Sequence, residues 1–142
     1  MYEEYTRQSL PDSDYRELLG TAICAFNQNN AFVIENLLRK GCDGDWWALT
    51  NNTSGPIADK LKKAIGCDSN LSKLFAELVD ERNRIVHSFQ ITYGGKQVLQ
   101  TLDKNNNQSR ITEERMIEFI KNNGRLSAML HDYRDSLKRD GL

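Results

Sequence analysis

Apolar residues recur at helical spacing in four stretches of the chain and alternate in one. After Pro11 and Asp12, Tyr15, Leu18, Leu19, Ala22, Ile23 and Phe26 fall on one helix face. Phe32, Val33, Leu37 and Leu38 carry the pattern to a stop at Gly41, as one long helix or as two broken at Asn27 to Asn30. The stretch GCDGDWWALTNNTSG reads as a loop, with Trp46 and Trp47 expected to close over the core. Ser54 and Pro56 open a short helix, IADKLKKAI, ended by Gly66. Asp68 or Ser69 caps the next, predicted from roughly Asn70 to Ser88. The period then changes: QITYGGKQVLQTL alternates about Gly94-Gly95, a hairpin over roughly residues 89–102. DKNNNQSR reads as a polar loop. Thr112, followed by Glu113 and Glu114, starts a last helix, with Ile111 stapled on Met116 and a stripe through Phe119, Ile120, Leu126, Leu130 and Leu137. The predicted fold class is all-α: one domain over 1–142, a bundle of four to five helices with a small β-hairpin inserted before the last.

One position breaks the pattern. Turning each residue from Leu71 by about 100° puts Leu71, Leu74, Phe75, Leu78, Ile85, Val86 and Phe89 on one stripe. Arg82 falls near its centre, and Asn83 and His87 lie one turn apart on its flank. An arginine in such a place ordinarily runs its stem through the core and pairs with a carboxylate. A histidine on a helix flank is ordinarily neither ligand nor catalyst. The combination is what points to chemistry: Asn83 can hydrogen-bond one ring nitrogen of His87, fix its tautomer and leave the other free for proton transfer.

Composition narrows the classes. The chain has 142 residues, enough for a core, with 19 basic and 20 acidic side chains. No global basic field therefore advertises nucleic acid. No run of 18 apolar residues occurs, and MYEEYTRQSL lacks the basic-then-apolar order of a secretion signal. Cys24, Cys42 and Cys67 are odd in number and unpaired in spacing, which suits reduced thiols in a cytoplasm. With His87 and His131 as the only histidines, and no cysteine near either, a zinc site is not expected.

The segment RNRIVH, Arg82 to His87, late in a capped bundle helix, resembles the HEPN superfamily. That motif is an arginine, a polar residue, three further positions and a histidine. Many members are metal-independent endoribonucleases used as toxins or in antiviral defence. The resemblance covers about Tyr15 to Phe89, with the last helix following in helix order; the hairpin departs from the plain four-helix pattern. It implies His87 as general base or acid, Arg82 on the phosphate and Asn83 in orientation. It further implies an RNA substrate, no cofactor and no metal, and a 2′,3′-cyclic phosphate product. Partners implied are a second copy of the chain and, for a toxin, an antitoxin of the small nucleotidyltransferase kind. Other bundles of this type are non-catalytic regulators or protein-binding and immunity modules, mannitol-repressor-like proteins among them, and that alternative stays open.

The chemistry is within reach of these side chains. RNA carries its own nucleophile, the 2′-hydroxyl. An imidazole can take that proton or protonate the leaving oxygen, and a guanidinium can fork onto phosphate oxygens as charge builds. Arg82 and His87 stand about 140° apart around the helix, too splayed to grip one phosphate well. A second copy, antiparallel across a two-fold axis, would bring Arg82 of one chain near His87 of the other. Secondary candidates are Glu35 and Asn36, which interrupt FVIENLL and either face the motif helix or point to solvent. Lys60, Lys62 and Lys63 form a basic spot, read as a solvated face. Trp46 and Trp47 could alternatively stack on a base.

Overall fold

Two long helices run side by side in the computed structural model, which describes all residues 1–142. These are α1 (Ser13–Lys40) and α5 (Glu113–Arg139). The Asn29 side-chain amide donates to the carbonyl and the side-chain oxygen of Asn123, at 2.8 and 3.0 Å. Further along, Asn36 donates to the Leu130 carbonyl at 3.4 Å. Partners climb together, so α1 and α5 are parallel. Their shared seam is heptad-spaced: Tyr15, Ala22, Asn29 and Asn36 on α1, Met116, Asn123, Leu130 and Leu137 on α5, all buried. No break occurs at Asn27 to Asn30. Asn29 is satisfied inside the seam, and the helix passes through to a left-handed stop at Gly41 (φ 91°).

Two further helices complete the bundle: α3 (Ser54–Ile65) and α4 (Asn70–Val86). The Ser69 hydroxyl caps α4 by accepting the Ser72 amide. Ser54, near the start of α3, meets Arg82 near the end of α4, so these two helices are antiparallel. Glu81 of α4 meets Arg115 at the start of α5, so that pair is antiparallel too. Phe26 stacks between Phe75 and Phe119, with ring centroids 6.2 Å away on each side, and joins α1, α4 and α5 in one core.

Between α1 and α3 the chain is not the expected loop. Trp46–Thr50 form a short helix, α2, started by Asp45, whose carboxylate accepts the Ala48 amide at 2.8 Å. Of this helix only Leu49 is buried. Trp46 is 37% exposed and Trp47 76%, so neither ring closes over the core.

The all-α class is overturned. After α4 come three antiparallel strands in the order β1-β2-β3: Phe89–Tyr93, Lys96–Leu102 and Gln108–Ile111. β1 and β2 turn at Gly94-Gly95 and pair Ile91 with Val98. The third strand lies where a loop was expected, and pairs Leu99 with Ile111 and Thr101 with Ser109. Asp103 makes the return: its side chain accepts the amides of Asn105 and Asn107 at 2.8 and 2.9 Å, and Asn106 takes a left-handed φ of 63°. Three of the four β3 residues are exposed, so the strand shows no apolar alternation. No helix is long and apolar enough to cross a membrane. All three cysteines are free thiols.

Candidate active site at the end of α4

The motif helix ends two residues early, at Val86, with His87 as its C-cap. The reason is that its last carbonyls find other donors. The Ser88 hydroxyl donates to the Ile85 carbonyl at 2.6 Å, and the Thr101 hydroxyl, from β2, donates to the Arg84 carbonyl at 2.8 Å. Arg84 returns the contact through its guanidinium, 2.6 Å from the Leu102 carbonyl. Phe89 is thereby drawn into β1 and off the stripe, which stops at Ile85. Val86, His87 and Phe89 are all exposed.

Arg82 occupies the centre of the stripe as the spacing required, but takes part in none of the chain's ion pairs. One guanidinium nitrogen donates to the Ser54 hydroxyl at 2.9 Å, and its central carbon stands 5.2 Å from the Phe26 ring centroid. Its Nε is buried without a partner. The charge is therefore held by a neutral hydroxyl and an aromatic face, not cancelled by a carboxylate. The neighbouring Glu81 does the opposite: both its oxygens meet Arg115, at 2.8 and 2.7 Å, and Arg115 also donates to Ser109 and the Arg110 carbonyl. The hydrogen-bonded Glu81 carboxylate raises the Arg115 pKa, with burial opposing it.

The three motif residues diverge within one chain. Arg82 points between α1 and α3. Asn83 is half-buried and lines a groove between α3 and α4, together with Lys62, Asp80 and Lys104. His87 is exposed, and only its backbone amide meets Asn83, donating to that residue's carbonyl at 3.0 Å. No side-chain hydrogen bond joins the Asn83 amide to the His87 ring, so the tautomer-fixing contact is not formed here. The secondary candidates go elsewhere. Asn36 is fully buried against α5, its side-chain oxygen unpartnered. Glu35 is exposed on the α1–α5 side, so neither faces the motif helix. Of the three lysines only Lys62 lines the groove.

Ser54 is the residue that sequence reasoning missed. It read as a helix opener, yet it is 3% exposed and is the hydrogen-bond partner of Arg82. A buried hydroxyl at that point is invisible to periodicity, because it owes its burial to a helix 28 residues further on. No group of three or more His, Cys, Asp and Glu side chains is placed to hold a metal ion. Comparison with known protein families, with characterised proteins and with solved structures finds no match for this chain.

Proposed function

We propose that this protein is a HEPN-type, metal-independent endoribonuclease of a cytoplasmic toxin or antiviral system, working as a homodimer whose two RNRIVH segments face each other. One observation carries the reading: a half-buried guanidinium with no counter-ion, on the same helix end as an exposed histidine. A charge kept without a carboxylate is available to an incoming phosphate. His87 then takes the 2′-hydroxyl proton or protonates the leaving oxygen, and Arg82 meets the charge that builds on the phosphate. The divergence of Arg82, Asn83 and His87 supports the shared site, since a single chain does not present them together. The exposed Val86 and Phe89 on either side of His87 give a second copy apolar surface to cover.

The test is purified protein against total RNA in EDTA, beside Arg82→Ala and His87→Ala. Cutting by the wild type alone, leaving 2′,3′-cyclic phosphate ends, is the expected result. Full activity of the His87 variant, or strict dependence on magnesium, overturns it. Dilution followed by light scattering and activity checks the dimer, and undiminished activity per chain in a monomeric sample removes the shared site.

A second reading has its own observation. Arg82 ties α3 to α4 through Ser54 and rests on Phe26 of α1, as a clamp in a non-catalytic regulator or immunity module would. Under that reading Arg82→Ala unfolds the protein and His87→Ala changes nothing.

A further inference from the structure

One of the two tryptophans, Trp46, lines a groove on α1 that the motif does not use. It holds about 290 Å³, just below the roughly 300–1,000 Å³ typical of small-molecule sites. Trp46 forms one wall. Phe32 and Glu35 lie about one turn apart on α1, and Ser127, His131 and Arg134 on successive turns of α5. The Phe32 ring is already in use: His131 meets it edge-on at 4.8 Å, and Arg134 stands 5.5 Å from its centroid. Those two side chains thus share one aromatic neighbour in the lining of the groove. Arg134 has a buried Nε without a partner and only a 3.6 Å contact to the adjacent Asp135. Glu35 lines the same cavity and is in none of the chain's ion pairs. A carboxylate and a guanidinium thus line one small groove without neutralising each other, beside the partly exposed Trp46 indole.

We infer that this groove binds a guanine nucleotide unit of single-stranded RNA, with the base on Trp46, its Watson–Crick edge on Glu35 and its phosphate on Arg134 and His131. The choice of base follows from hydrogen-bond chemistry. An ionised carboxylate only accepts, and needs two adjacent donors to be used in full. Guanine offers N1–H and the N2 amino group side by side. Adenine, cytosine and uracil each place acceptors beside their single donor group, which a carboxylate repels. The base stacks on an indole without regard to sequence, so the carboxylate sets the preference. The phosphate end follows from charge, since guanidinium is the fork that phosphate oxygens fit. That the natural ligand is RNA, and not a free nucleotide, rests on the ribonuclease reading. The groove would then hold the strand away from the cleavage point.

The chain's two tryptophans make the test direct. In a Trp47→Phe, His87→Ala protein, Trp46 is the only indole and RNA is not cut. Its fluorescence is followed on adding guanosine 5′-monophosphate, adenosine 5′-monophosphate and short oligonucleotides containing or lacking guanine. Saturable quenching is expected, roughly 10-fold or more tighter for the guanine ligands. Glu35→Gln should bring that ratio close to one, and Arg134→Met should weaken both mononucleotides alike. Absence of saturable quenching at millimolar nucleotide overturns the inference. So does a guanine preference that survives Glu35→Gln, or equal binding of both bases. Guanine-selective quenching in a protein whose wild type cuts no RNA would keep the groove and remove the ribonuclease. Cutting without quenching would do the reverse.

Discussion

Replacing Arg82 by leucine separates a functional guanidinium from a structural one through stability alone. The substitution leaves the Ser54 hydroxyl, 3% exposed, without its donor. An orphaned buried polar group of this kind costs about 1–3 kcal/mol. Losing the contact with Phe26 at 5.2 Å costs about 0.5–1 kcal/mol more. Against this, a leucine in that half-buried register beside Leu78 and Ile85 contributes about 1–2 kcal/mol, less than a fully buried one. Removing the unpartnered Nε returns on the order of 1–2 kcal/mol of desolvation. The two sides nearly cancel, so Arg82→Leu should lie within about 1 kcal/mol of wild type, or about 3–4 °C in Tm for a domain of this size. Adding Ser54→Ala removes the orphaned hydroxyl as well, and the double variant should be more stable than Arg82→Leu alone. Thermal unfolding by far-UV circular dichroism gives the Tm. Urea titration with an unchanged slope confirms that the same state unfolds. A loss above about 3 kcal/mol in the single variant, unrelieved in the double, would refute the reasoning, since a hydroxyl contact and an aromatic face do not supply that much and a buried charge partner or a packing defect would.

Next door the sign reverses. Glu81→Gln breaks a two-toothed pair with Arg115 whose side chains are 27% and 25% exposed, and should lose about 1–2 kcal/mol, less in high salt; an unchanged urea midpoint would show the pair to be decorative. Tyr15 sets an alkaline limit. Its hydroxyl donates to the Ile111 carbonyl and accepts the Leu99 amide, and burial, helped by Glu113, holds its proton above the usual tyrosine value of 10.0. The folded protein keeps a proton that the unfolded chain releases near pH ~10, so this contribution is complete below that pH and lost as pH rises through the folded value. Tyr15→Phe should lower the Tm at neutral pH and flatten part of the alkaline decline; a decline as steep as in wild type would assign it elsewhere, Tyr133 being the other tyrosine that burial shifts the same way.

The sequence reading succeeded where one element's own residues decide its structure. Ser69 and Thr112 cap α4 and α5, and Gly41 stops α1 in a left-handed turn, all from local signals. It failed where a distant element supplies the partner. Asn29 looked like a helix breaker because its partner, Asn123, is 94 residues away. β3 looked like a loop because Gln108, Ser109 and Arg110 face solvent, and only backbone pairing with β2 makes them a strand. A core place for the tryptophans follows from residue type alone, and nothing local tells which face of α2 is covered. Arg82 was legible as an anomaly for the same physical reason: periodicity reports burial, and a charge in a buried register stands out. Its partner Ser54 was not, since a small hydroxyl carries no such signature.

The sheet's contacts give it a role at the motif end. Thr101 of β2 donates to the Arg84 carbonyl, and Arg84 reaches back to Leu102, so two contacts join the last turn of α4 to one strand. Arg115 joins β3 to the same helix, through Ser109 and the Arg110 carbonyl on one side and Glu81 on the other. Tyr15 fastens β2 and β3 to α1 with a single hydroxyl. Helix ends ordinarily fray, because their last carbonyls lack partners and their side chains touch little. Here those carbonyls are taken by hydroxyls and the helix stops cleanly one residue before His87. An exposed histidine on a frayed turn would sample many positions relative to Arg82. On a turn pinned from two strands its backbone keeps one, and the ribonuclease proposed above needs its proton-transfer group attached at such a fixed point. An insertion between α4 and α5 is thus placed where it can act: directly after the histidine, with both ends tied to helices that flank the motif.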